Sequence, residues 1–258
     1  MDEFFTTIQT EYLTIVALFV TGTISFTIST VGGGGGSLMN VPIVNLLVGV
    51  PATAPIINLG ALIGRPARLI LFWKDINWKI VLYSTPASMI GAVIGGYLFV
   101  NIELQWLQIF IGLFLVSTIF QYRFGEKPKS FKMTHIGFIP LGFTVAVLGT
   151  IIGAMGPVLN PFYLNAGIEK EEMIATKAAN SFFTGIMQIG AYSYLGSLMG
   201  DRWAYGLAMG IGATVGNVIG KSLLKRISKK DFRVWVMVIM VISGIVMLTK
   251  QFISISIL

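Results

Sequence analysis

The five consecutive glycines Gly32–Gly36, closed by Ser37, are the feature of this chain best suited to chemistry. Glycine destabilises a continuous helix by about 1 kcal/mol per residue, so the run breaks the apolar sequence around it and presents bare backbone N–H groups. Ser37 is a good N-cap for a helix that restarts there, and a helix N-terminus with free amides attracts anions. A second break, Gly153-Ala154-Met155-Gly156-Pro157, has the same character. Its proline suits a first helical turn, where no N–H is needed. Gly34, Gly35, Gly36, Ser37, Gly153 and Gly156 are therefore candidate anion-binding positions, whereas scattered glycines elsewhere are better read as close helix packing.

Polar side chains within apolar sequence come next. Asn40 and Asn160 follow the two breaks, and Asn58 and Asn180 lie in the segments after them. The ordinary role of such an asparagine is an interhelical hydrogen bond, worth about 0.6 kcal/mol. Recurrence near both breaks adds a second role, orienting a bound ion. Arg65 lies roughly 13 Å, at 1.5 Å per residue, from the near end of its segment, and a cation at that depth marks a functional site. Arg68 and Lys177 can snorkel to the interface, and Lys177 is kept as a candidate ligand.

What is missing narrows the chemistry. The 11 acids fall at predicted ends and loops, the single histidine, His135, adjoins a basic loop, and there is no cysteine. No carboxylate is placed to relay protons or ligate a cation in mid-membrane. No HExxH motif, nucleophile–base pair or metal-ligand cluster is present. The expectation is a protein that is not an enzyme and has no cofactor and no metal.

These residues must be positioned by membrane-spanning helices. Of 258 residues, 55% are hydrophobic and 11% charged, with mean hydropathy +0.81, against about 25% charged in soluble domains. A span takes about 20 residues, and ten apolar segments are read near 12–31, 36–50, 52–73, 79–100, 104–122, 134–153, 156–167, 173–198, 203–224 and 232–250. The second and seventh are too short to cross about 30 Å alone, and irregular backbone at that depth must be buried or line a cavity. The net charge of +7 is read as basic residues gathered in cytoplasmic loops, not as nucleic-acid binding. The acidic N-terminus lacks the basic region of a cleavable signal, so the first segment is read as a retained helix.

The halves resemble each other. VGGGGGSLMNVPIV (31–44) matches IIGAMGPVLNPFYL (151–164), and IGAVIGGYL (90–98) matches VGNVIGKSL (215–223). Residues 1–122 form a first repeat, 123–133 a basic cytoplasmic linker and 134–258 a second repeat. An odd number of crossings per repeat inverts the second copy, and paired interrupted helices then point to a site near the midplane. The fold class expected is an all-α, polytopic integral membrane protein. It has two inverted repeats of about five segments each and Gly/Pro-broken short helices near the midplane. The setting expected is the cell membrane, crossed many times; a homodimer is compatible with it.

The motifs GGGGGSLMNVP and GAMGPVLNP, with PATAPIINLGALIGRPARLI, ATKAANSFFTGIMQ and the paired glycine blocks, resemble those of the TauE/SafE (TSUP) sulfite exporter family over essentially the whole chain. Ala154 and Met155 stand where that pattern has glycines. The resemblance implies a secondary transporter of a small sulfur-containing anion such as sulfite, thiosulfate, a sulfonate or sulfoacetate, with the substrate region at Gly32–Pro42 and Gly153–Pro161. Together with the residue reading it gives alternating access of one repeat against the other, with Arg65 supplying charge. The alternatives are an anion channel using the same amides, a sodium-coupled carrier, and a membrane enzyme or scaffold, for which no catalytic group is found.

Overall fold

The computed structural model describes residues 2–31, 38–124, 133–168 and 170–223, with 241, 242, 245, 248 and 249. Described residues in regular structure are helical: α1 (Asp2–Val31), α2 (Asn40–Val48), α3 (Val50–Leu71), α4 (Trp78–Asn101), α5 (Leu104–Phe124), α6 (Phe138–Ile152), α7 (Asn160–Asn165), α8 (Lys170–Tyr194) and α9 (Asp201–Leu223). Most of the expected basic linker, and most of the tenth segment, lie outside the described residues.

Among the described residues three stretches are long and apolar enough to cross a membrane, Glu11–Thr30, Val50–Leu71 and Trp78–Asn101, and Phe138–Ile152 is a shorter apolar helix. Helices α8 and α9 have 25 and 23 residues, ample length for a span, but α8 carries a polar face that lowers its average hydropathy. The two short segments are short helices here. Helix α2 has nine residues and α7 has six, the latter led in by a 3-10 turn over Gly156–Leu159. At 1.5 Å per residue neither crosses a bilayer alone.

Glycine sets how the long helices meet. Helix α1 packs along α9 and α6 along α4, while α3 lies against both α8 and α9 and α8 against α3 and α4. In the α1–α9 pair, a side chain at Gly212, Gly216 or Gly220 would strike the backbone carbonyls of Phe19, Thr23 or Thr27, and one at Gly22 the carbonyl of Met209. In the α4–α6 pair, Gly91 and Gly95 face the carbonyls of Phe143 and Val147, and Gly142 faces that of Ser84. The same contact is built twice in matching register, with Gly216 and Gly220 taking the places of Gly91 and Gly95. Backbones this close gain dispersion contacts that bulkier residues would forbid. Outside the packed seams, Leu13, Ile24, Leu82, Ile90, Ile211 and Val218 are exposed, as lipid-facing positions are.

Gly216→Leu should therefore lower the thermal stability of detergent-solubilised protein by an amount typical of overpacking, about 1–3 kcal/mol. Gly190→Ala, at a site where an added Cβ meets nothing within 4 Å, should leave it unchanged.

Candidate functional site

A cavity of about 150 Å³ opens between α3, α6 and α8, with contributions from α1, α4 and α9. Arg65, Arg68 and Lys177 line it, and among the described residues no Asp or Glu does. Helix α8 presents Lys177, Asn180, Ser181, Thr184 and Gln188 to it, a spacing of three and four residues that keeps one helical face turned inward. Helix α3 faces it with Asn58, Ala61, Arg65 and Arg68 for the same reason.

The three cations are held differently. Arg68 donates from Nε to Asn217 Oδ1 at 2.7 Å and reaches the carbonyl of Phe26 at 3.5 Å, with its guanidinium carbon 5.5 Å from the Phe26 ring centroid. Asn217 is completely buried; its amide donates to Gly64 O at 2.7 Å, and its oxygen also accepts from Thr30 at 2.9 Å. Arg68 thus turns inward toward α9 and α1 rather than reaching for the interface, because a buried amide offers a partner there. Lys177 Nζ donates to Asn160 Oδ1. Arg65 is half-buried, and its Nη1 is buried with no hydrogen-bond partner among the described residues. A Cβ at Gly185 would overlap that nitrogen, so the absence of a side chain there is what admits the guanidinium.

Of the residues anticipated as ligands, Asn58, Arg65, Gly153, Gly156, Lys177 and Asn180 line this one cavity. Asn160 stands behind it as the acceptor for Lys177. Asn40 does not line it: it is fully buried at the start of α2, and both amide atoms lack a partner among the described residues. Gly34, Gly35, Gly36 and Ser37 lie outside the described residues. Gly153 has a further duty, closing α6 in the left-handed conformation (φ 98) with its N–H on Gly149 O, as C-terminal glycines do.

The asparagines make the interhelical bonds that are their ordinary role. Asn58 donates to Gly149 O at 3.2 Å and to Tyr192 Oη at 3.0 Å. Asn180 accepts from Thr85 at 3.0 Å and reaches Ser88 Oγ at 3.5 Å. Arg68, Asn217, Ser29 and Gln188 were not singled out as site residues. For Asn217 the signal was present, since it is the polar member of VGNVIG, the block that repeats IGAVIG. Gln188 shares the face of α8 set by Lys177 and Thr184, and that periodicity could have found it.

Asp75, Glu103, Glu171, Glu172 and Asp201 lie at helix ends or in loops, whereas Glu11 lies within α1 and Glu126, Glu169 and Asp231 fall outside the described residues; Glu172, in the first turn of α8, accepts from Asn77 Nδ2 at 2.9 Å. Among the described residues no three His, Asp or Glu side chains converge.

The cavity is set among apolar helices and is lined by three cations, with no acid among the described residues that line it. The family model described as "Sulfite exporter TauE/SafE" matches residues 18–247, and the chain belongs to that family of membrane transporters. No curated protein and no solved structure matches it.

Asn217→Leu removes the partner of Arg68, Thr30 and the Gly64 carbonyl together while roughly keeping volume. Arg68 would keep only its long contact to Phe26 O and the Phe26 ring, and losing a hydrogen bond to a charged group should cost about 1.5–3 kcal/mol, seen as a drop in melting temperature in detergent. A variant as stable as wild type would remove Asn217 from this role.

Proposed function

We propose that this protein is a secondary carrier of a small sulfur-containing oxyanion, held in the cavity at Arg65 and moved by alternating access of two inverted repeats in the cell membrane. The observation that carries the reading is the set of three cations around one cavity without a carboxylate, Arg65 among them with a nitrogen no described residue satisfies. A buried guanidinium nitrogen without a partner is costly, and an oxyanion accepting from its fork removes that cost with charge-assisted hydrogen bonds. Family membership supports sulfite, thiosulfate or a sulfonate as the class of anion. Backbone amides around Gly34–Ser37 and Gly153–Gly156 complete the binding site on this reading, with Asn160 and Asn180 holding and orienting the charged groups.

The repeat supports the transport mode. The duplicated contacts of α1 on α9 and α6 on α4 are what two copies related by a pseudo-two-fold axis would make, and transporters with such repeats place substrate at the interface between them. Short α2 and α7 occupy corresponding places in the two copies. Many crossings follow from this arrangement, and a dimer of such units is compatible with it.

The test is uptake of labelled sulfite, thiosulfate, a simple sulfonate and a short carboxylate into proteoliposomes, with trans-acceleration by substrate on the far side. Saturable, trans-accelerated uptake of a sulfur oxyanion is expected. Flux without saturation or trans-acceleration would mean a channel, and movement of cations or neutral solutes alone would end the reading. Arg65→Ala should lower uptake at subsaturating substrate by at least tenfold while the protein stays folded. Arg65→Lys should recover it only in part, because a point charge does not reproduce a planar fork. Gly185→Ala, which removes no polar group but occupies the space of Arg65 Nη1, should weaken apparent affinity as well.

A further inference from the structure

Buried polar side-chain atoms without a partner are few among the described residues, and three of the four residues that own them line this one cavity: Ser29, Arg65 and Gln188. Arg65 can only donate. Gln188 lacks a partner at Oε1, an acceptor, and is 4% exposed. An unpartnered acceptor on a residue that lines a cavity holding three cations needs an explanation that an oxyanion alone does not supply.

The orientation of this amide is set by its neighbours. Gln188 Nε2 donates to Thr150 Oγ1 at 2.9 Å, and Thr150 donates its own hydroxyl proton to Ala146 O at 2.7 Å. The threonine oxygen is left able only to accept, so the Gln188 nitrogen must face it, which leaves the amide oxygen of this cavity-lining residue as the end without a partner among the described residues. The same logic holds one turn further along. Tyr192 donates to Thr150 O, so its hydroxyl accepts from Asn58, whose second amide proton goes to Gly149 O. Asn58 has its carbonyl oxygen left. Asn58 and Gln188 both line the cavity that Lys177 and Arg68 also line. Arg65 Nη1 lies beside Gly185, three residues before Gln188 on α8, about 4.5 Å along the helix axis.

Resting on the anion-carrier reading above, we propose that Gln188 Oε1, assisted by Asn58 Oδ1, sets specificity by favouring, over anions such as sulfite that have none, an anion that carries a neutral hydrogen-bond donor, a hydroxyl group, about one helical turn from the charged group held at Arg65. An ammonium group would meet three cations and no acid there, and repulsion at low dielectric disfavours it. A substrate lacking a donor leaves both carbonyls unsatisfied, the situation in which a polar site rejects an analogue most strongly.

The experiment is competition against labelled sulfite uptake in proteoliposomes by three matched probes: ethanesulfonate, 2-hydroxyethanesulfonate and 2-aminoethanesulfonate. The hydroxyl compound should compete better than ethanesulfonate by roughly tenfold to a hundredfold, and the amine should gain nothing over ethanesulfonate. In Gln188→Met the ratio of hydroxyl to unsubstituted compound should fall toward one. Thr150→Val keeps Gln188 but releases its amide to turn, and should lower the same ratio; it provides the answer if Gln188→Met does not fold. Equal competition by ethanesulfonate and the hydroxyl compound in wild type overturns the inference, as does sulfite uptake that no sulfonate inhibits. In both cases the carrier reading stands. Absence of any anion uptake ends the carrier reading itself.

Discussion

Three positive charges around one cavity of an apolar helical protein, with no acid among the described residues that line it, are the constraint to which the rest of the structure answers. Each cation at the centre of a helical span costs on the order of 2.5–3.5 kcal/mol on insertion scales, so each must be hydrated, snorkel, or be met by dipoles. Arg68 is met by Asn217, Phe26 O and an aromatic face, and Lys177 by Asn160. These are neutral partners, so the charge is accommodated but not cancelled. A carboxylate in their place would form an internal ion pair and remove the field that attracts an anion. The choice of asparagine over aspartate keeps the cavity positive.

Holding such a field steady takes a scaffold that does not drift, and close glycine contacts provide it. With Gly212, Gly216 and Gly220 against carbonyls of α1, and Gly91 and Gly95 against those of α6, the two outer pairs are set by backbone shape more than by long side chains. Helices α3 and α8, which carry the lining residues, are each seated on a partner from one of those pairs and on each other. On the carrier reading this division has a mechanical meaning. The rigid pairs serve as frames, and the α3–α8 contact, where Arg65 fits into the gap left by Gly185, is the surface that changes as access alternates.

Much of this was legible in the sequence, for reasons that differ by residue. The helices were readable because apolar runs of about 20 residues admit few other structures in a membrane; α4, read as 79–100, spans Trp78–Asn101. Arg65 was readable because a cation at that depth has few innocent explanations, and the short segments because glycine and proline interrupt them. Arg68 was not, because snorkelling is a sufficient account of it until Asn217 is seen facing it from a segment about 150 residues away. Asn40 shows the opposite limit. Its place after the glycine run resembles that of Asn160, yet only Asn160 bonds to a cavity cation, and nothing in the spacing separates the two. Gln188 was hidden by its chemistry: a glutamine in an apolar helix reads as glue between helices, and only the direction of Thr150's proton reveals which end of the amide is free.

The electrostatics also bear on what can drive transport. Coupling ions bind where half-helix C-termini, unwound carbonyls or acids gather, and a cavity with three cations is a poor host for a fourth positive charge, whether sodium or an added proton on the protein. On the carrier reading, a coupled proton travels on the substrate itself. Weak oxyanions that protonate near neutrality cross with more or less charge according to which form is bound. If the Gln188 and Asn58 carbonyls take a donor from the anion, as proposed above, they favour a form that bears a proton it can donate. The same residues that select the substrate would then set how many charges accompany it, so selectivity and coupling would be one property of the cavity.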